Sequence, residues 1–177
     1  MINTKVTIDL KLLNQAPRKN YPMSQTDQSQ NLMIQELLQL QAEQRIAHLT
    51  ANAKKLVDIF ADEFISISNG KIARPTYAES LQRFQAYFDK VTFIAWDDIT
   101  PPIIHMAEDA SLATIIVHKY VHVRYPAEPD QWLEEDTTFV WQEVYVRQRG
   151  SWRLATIVST NTPPNSRPSE SLPMGAG

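Results

Sequence analysis

Apolar residues recur every three or four positions from Ile34 through Leu38, Ala42, Ile46, Leu49, Ala53, Leu56 and Val57 to Phe60. This spacing predicts helix, with those residues as its buried stripe. Thr50, Ala51 and Asn52 predict a break, and Asn52 is placed to cap a second, shorter helix running to about Ala61. The period then falls to two over residues 64–68. Asn69-Gly70 is the favoured pair for a type I′ hairpin turn, and residues 71–73 form the return strand. Thr76 and Glu79 have capping-box spacing ahead of Tyr77, Leu81, Phe84 and Phe88, which predicts a helix with that stripe buried.

From Val91 onward the pattern is strand. Segments are expected at 91–96 and 103–106, separated by Pro101-Pro102, then at 112–125, 137–148 and 152–160. The stretches 126–135 and 149–151 are expected as loop and turn. Helices first and an antiparallel meander afterwards, with no crossover helix between the late strands, give α+β: N-terminal helices packed against a curved antiparallel sheet. Residues 14–30 are rich in Gln, Ser, Asn and Pro, so residues 1–31 are expected as a flexible arm, within which a start at Met23 would remove nothing the fold needs. Pro163, Pro164, Pro168 and Pro173 among small polar residues predict a disordered tail over 162–177, which leaves 32–161 as the folded domain.

Composition narrows the function classes. With 177 residues, 43% hydrophobic and 21% charged, the chain suits one globular domain. A net charge of −3 argues against a nucleic-acid binder, which needs a basic face to neutralise phosphates. The absence of cysteine excludes disulfides, thiolate nucleophiles and Cys-based zinc sites. No apolar run approaches the roughly 20 residues of a membrane helix. Asp9 and Lys11 interrupt any signal-like apolar region, so a cytoplasmic protein is expected. With four glycines, no phosphate loop or dinucleotide fingerprint occurs, and no cofactor is expected.

Four sets of residues could carry chemistry. His118, Tyr120, His122 and Arg124 alternate on one face of the long strand. The two histidines are about 13 Å apart along it, too far to share a metal ion, and the mixed face suits solvent or a dimer contact. His48 follows the core position Ile46 and is either a boundary residue or a base or donor turned into a cavity. Of Asp97 and Asp98 only one can face a cavity, and turn chemistry before two prolines also accounts for the pair. Phe139, Trp141, Glu143 and Tyr145 share one face of the penultimate strand. A carboxyl among three aromatics is the most pocket-like pattern in the chain, since apolar surroundings raise its pKa and suit it to acid or base work. The competing reading is an aromatic face packed on helices with Glu143 paired to Arg153, Arg147 or Lys119.

The element order resembles the nuclear-transport-factor-2-like superfamily, and specifically its SnoaL-like branch. Residues 53–65 (AKKLVDIFADEFI) resemble that branch's short helix entering the first strand, and residues 143–154 (EVYVRQRGSWRL) its aromatic-strand, Gly-turn, Trp-strand hairpin. Asp109-Ala110-Ser111 fits the turn that opens the long strand. The resemblance implies a cystatin-like cone, in which a strongly bent sheet holds the helices in its concave face and leaves a cavity, and it implies a homodimer through the sheet. It also implies a charged pocket residue where Glu143 stands. The histidines that many relatives carry in the final strand are replaced by Thr156, Val158 and Ser159. Expected, then, is a pocket for a small apolar or aromatic ligand, lined by Phe139, Trp141 and Tyr145 with Glu143 and His48 as its polar groups. The alternatives are an isomerase or dehydratase using Glu143 as base, and a homodimeric interaction module.

Overall fold

A computed structural model describes residues 25–128 and 131–169 of the chain. Its elements are α1 (Gln25–Leu49), α2 (Ala53–Val57), β1 (Phe60–Ser68), β2 (Lys71–Ala73), α3 (Tyr77–Phe88), β3 (Thr92–Met106), β4 (Leu112–Glu128), β5 (Gln131–Gln148), β6 (Ser151–Asn161) and β7 (Asn165–Pro168). One sheet runs in the order β2-β1-β6-β5-β4-β3, with β7 paired to β5 beyond the end of β6. It is curved and unclosed, and the helices pack on one side of it, which is the expected α+β arrangement. Every pairing is antiparallel except β1 with β6, which is parallel.

Local chemistry accounts for the ends of the elements. Asn52 caps α2 by accepting from the Lys55 backbone N–H at 2.8 Å. Thr76 and Glu79 form the full capping box, with the Thr76 N–H donating to the Glu79 carboxylate at 2.7 Å. Asn69 and Gly70 both have positive φ (50° and 70°), as do Arg149 and Gly150 (53° and 83°). Two-residue type I′ turns require positive φ at both central positions, and these two turns close the β1–β2 and β5–β6 hairpins.

Several expected boundaries are corrected. Helix α1 begins at Gln25, inside the stretch read from composition as an arm. The second helix stops at Val57, because Phe60 and Ala61 already belong to β1. Pro101 and Pro102 do not divide two strands. They lie inside β3, where register shifts occur between Asp98 and Thr100 and between Thr100 and Ile103. β3 is an edge strand, and proline is tolerated at an edge or bulge because no ladder N–H is lost there. The expected loop over 126–135 is largely hairpin, with Tyr125 opposite Leu133 and Pro126 opposite Trp132. Within the expected tail, residues 165–168 pair with β5, and Arg167 forms ion pairs with Glu134 (3.5 Å) and Asp136. The rest of the expected arm and tail lies outside the described residues. Among the described residues no helix is long and apolar enough to cross a membrane.

The core lies between the helices and the inner face of β3, β4, β5 and β6. Odd-numbered residues of β4, including Ile115, Val117, Val121 and Val123, are buried there, while His118, Tyr120, His122 and Arg124 turn outward and are half-buried. The face of α1 that meets this core is not the expected one. Ala42 and Ile46 are exposed, and Ile34, Leu38 and Leu49 are only half-buried. The buried positions are Leu37, Gln41, Gln44, Ala47 and His48, and Leu37, Gln41, Gln44 and His48 follow the i, i+4, i+7, i+11 series of a single helix face. Leu37→Ala should therefore destabilise the fold by about 2–5 kcal/mol. Ile46→Gln, at a position 45% exposed, should stay within about 0.5 kcal/mol. Urea unfolding of the two variants checks the orientation of the helix.

Candidate functional site

Glu143 is on β5, directed inward with no solvent exposure. Its Oε1 accepts from the Trp141 indole N–H at 2.9 Å. Its Oε2 accepts from the Tyr145 hydroxyl at 2.8 Å, from the Gln44 amide at 3.4 Å and from the Gln41 amide. The Tyr145 oxygen in turn accepts from Gln41 (3.1 Å) and Gln44 (2.8 Å). The donors come from two elements because β5 alternation puts Trp141, Glu143 and Tyr145 on one face, and helical spacing puts Gln41 and Gln44 opposite them. All four are neutral. Burial pushes the Glu143 carboxyl above the ordinary carboxylate range, and the bonds from Tyr145, Trp141, Gln41 and Gln44 oppose that shift. The Tyr145 hydroxyl is pushed well up by burial and by the adjacent carboxylate.

A cleft of about 190 Å³ adjoins this network, and Gln44 and Trp141 belong to both. Its walls include the aromatic rings of Phe60, Phe64, Phe84, Trp96, Phe139 and Trp141, contributed by β1, α3, β3 and β5. Its polar lining side chains are Gln44, His48, Arg83 and Ser159. His48 stacks on Trp96, with centroids 3.7 Å apart and planes at 14°, and meets Phe88 and Phe93 edge-on. Its Nδ1 lies 2.7 Å from the Gln44 carbonyl. A carbonyl only accepts, so Nδ1 carries the proton and Nε2 keeps a lone pair. Burial lowers the imidazole pKa from 6.5 to about 4; the hydrogen bond to Gln44 works against this and the nearby Lys119 charge adds to it. The ring is neutral at pH 7.

Of the five residues expected at a pocket, Phe139, Trp141 and His48 line this cleft, and Glu143 and Tyr145 are not among its lining residues. Glu143 pairs with none of the cations named as its alternatives. Lys119, itself buried, meets Asp98 directly across the β3–β4 ladder at 2.5 Å. Asp97 binds Arg45 of α1 at 2.8 Å, so the two aspartates serve separate ion pairs. His122 contacts Glu134 on the outward face at 3.3 Å, within a cluster that also holds Arg124. Among the described residues no group of three or more His, Cys, Asp or Glu side chains could hold a metal ion.

Sequence reasoning missed Gln41, Gln44, Arg83 and Trp96. The available signal for the glutamines was their helical spacing with Leu37 and His48, together with the need of a buried carboxyl for donors.

Solved structures with this fold are similar along most of their length. An NTF2-like protein from Cytophaga hutchinsonii is 16% identical, covering 79% of this chain and 100% of that one, with a TM-score of 0.57. A ketosteroid isomerase-like protein from Erwinia carotovora atroseptica is 14% identical (75% and 99% covered, TM-score 0.60). A protein of unknown function with a cystatin-like fold from Nostoc punctiforme is 15% identical (81% and 96% covered, TM-score 0.52). No family model and no curated protein matches the chain. The chain has the nuclear-transport-factor-2-like fold, and at these identities the likeness extends to the fold alone.

The two buried titratable groups predict opposite pH slopes. Between pH 6.5 and about 4 the unfolded chain protonates His48 while the folded chain does not. Stability therefore falls on acidification through that window, by roughly 3 kcal/mol in all, and His48→Phe should lose this fall. Glu143 acts in the other direction. The unfolded carboxyl ionises near 4.5 while the folded one holds its proton to higher pH, so stability falls as pH rises above 4.5. Glu143→Gln should lack that decline. Unfolding free energies of each variant, subtracted from wild type across pH 4–8, isolate the two slopes.

Proposed function

We propose that the chain is a small-molecule-binding domain of the SnoaL-like kind, whose ligand is a small apolar or aromatic compound held in the cleft between α1, α3 and the inner face of the sheet. The observation that carries this reading is the lining: six aromatic rings and few polar side chains around one concavity. Ligand sites are built this way, with apolar walls for affinity and a few polar groups for orientation. Size limits the occupant. At about 190 Å³ the cleft is smaller than the roughly 300–1,000 Å³ of drug-sized sites and close to the ~150 Å³ that accommodates benzene in an engineered cavity. A single ring with a short substituent fits it.

The geometry favours binding over proton transfer. A general base must come within hydrogen-bond reach of the proton it removes. Glu143 has no exposed surface, and its oxygens are occupied by four donors. His48 is a lining residue whose Nε2 keeps a lone pair, but burial lowers its pKa to about 4 and leaves it a weak base.

Tryptophan emission tests the reading, because Trp96 and Trp141 line the cleft. Neutral one-ring compounds such as benzamide and phenol should shift the emission saturably in wild type, and the shift should disappear in Ile157→Phe, which fills the cleft from β6. A wild-type protein silent to the whole series would overturn the proposal.

A homodimer through the outward face is part of the same reading. Ile103, Ile116, Gln142 and Val158 form one continuous row across β3, β4, β5 and β6, and Ile103, Val140 and Val158 are each at least 40% exposed. Val158→Lys should convert a dimer to a monomer in sedimentation velocity. A wild-type monomer at micromolar concentration would remove this part.

A further inference from the structure

We propose that the ligand is a small aromatic monocarboxylate, its ring inside the cleft and its carboxylate on the Arg83 guanidinium at the rim. This rests on the cleft being a binding site and adds the charge of what it binds. Arg83 lines the cleft, yet its side chain is exposed, which puts the guanidinium where cleft and solvent meet. Arg45, Arg124, Arg147, Arg149 and Arg167 each form an ion pair with a carboxylate. Arg83 forms none among the described residues and lies instead over the Phe84 ring, 5.0 Å from its centroid. The contact holds a cation against a cleft wall, with its hydrogen-bonding edge uncommitted among the described residues.

The other polar lining groups decide which way the ligand points. Gln44 spends its amide N–H groups on Glu143 and Tyr145. His48 presents a lone pair, since its only proton is bonded to the Gln44 carbonyl, and a lone pair repels a carboxylate. Ser159 is neutral. The buried Trp96 indole N–H has no hydrogen-bond partner among the described residues, but it is a single neutral donor. A carboxylate driven inward would therefore lose its hydration among six aromatic rings with no lining cation to meet it, an unfavourable transfer. At the rim it keeps water on one side and gains a planar, two-pronged partner on the other. One guanidinium matches one negative charge, so a monocarboxylate suits the site better than a dianionic phosphate ester.

The experiment compares benzoate with its neutral isostere benzamide on the full chain at pH 7.5, by tryptophan emission and calorimetry, in wild type and Arg83→Gln. Benzoate should bind wild type about tenfold more tightly than benzamide, the size of one exposed charge-assisted contact. Arg83→Gln should bring benzoate down to the benzamide level. Because Arg83 is exposed, the urea unfolding curve of the variant should overlay that of wild type, which shows that it is folded. Added salt should weaken benzoate alone. Equal binding of the two probes to wild type, or a benzoate preference that survives Arg83→Gln, overturns the carboxylate proposal and leaves the cleft as a neutral-ligand site. Failure of both probes to bind wild type overturns the reading of the cleft, and this proposal with it.

Discussion

Glu143 sits on an inner strand with no solvent exposure, and every hydrogen bond it accepts comes from a neutral group. A buried carboxyl left without donors would be costly, so those donors have to be supplied from the packing elements. β5 supplies two by simple alternation. The other two must come from α1, and that requirement sets the rotation of the helix about its own axis. Hydrophobic packing alone would not set it, because α1 carries apolar residues on more than one side and apolar burial is non-directional. Hydrogen bonds from Gln41 and Gln44 are directional and select one orientation.

The rest of the site follows from that orientation. With Gln44 facing the sheet, His48 one turn later also faces inward and stacks on Trp96. The imidazole then lies in a ring of aromatics, its proton committed to the helix backbone. The cleft forms where the aromatic walls of β1, α3, β3 and β5 fail to close over this helix face. Its polar groups differ in kind: the His48 acceptor and an engaged Gln44 amide on the helix, a Trp96 indole N–H unpartnered among the described residues, and the exposed Arg83 cation.

Features governed by neighbours in sequence were legible in advance. The capping box at Thr76 and Glu79, the Asn69-Gly70 turn, the Asn52 cap and the alternation that places Glu143 among aromatics all depend on residues a few positions apart. The buried face of α1 was not legible, because the partner that draws two glutamines inward is about a hundred residues away. Apolar periodicity ranked Ile46 above Gln44 on hydropathy alone. The same limit hid β7: a segment of Asn, Ser, Arg and Pro forms a strand by pairing with β5, where Arg167 meets Glu134 and Asp136. Pro101 and Pro102 misled for a related reason, since their tolerance depends on β3 having a neighbour on one side only.

Those two prolines also act on the open edge of the sheet. An unpaired edge of a fifteen-residue strand is a template for adding further strands, the usual route to open-ended aggregation. Along β3 two adjacent positions lack an N–H, and the neighbouring bulges carry the backbone out of register. At the opposite border the sheet ends in β2, only three residues long and exposed throughout. Neither border offers a long straight ladder. Growth of this sheet strand by strand is thereby disfavoured at both of its borders.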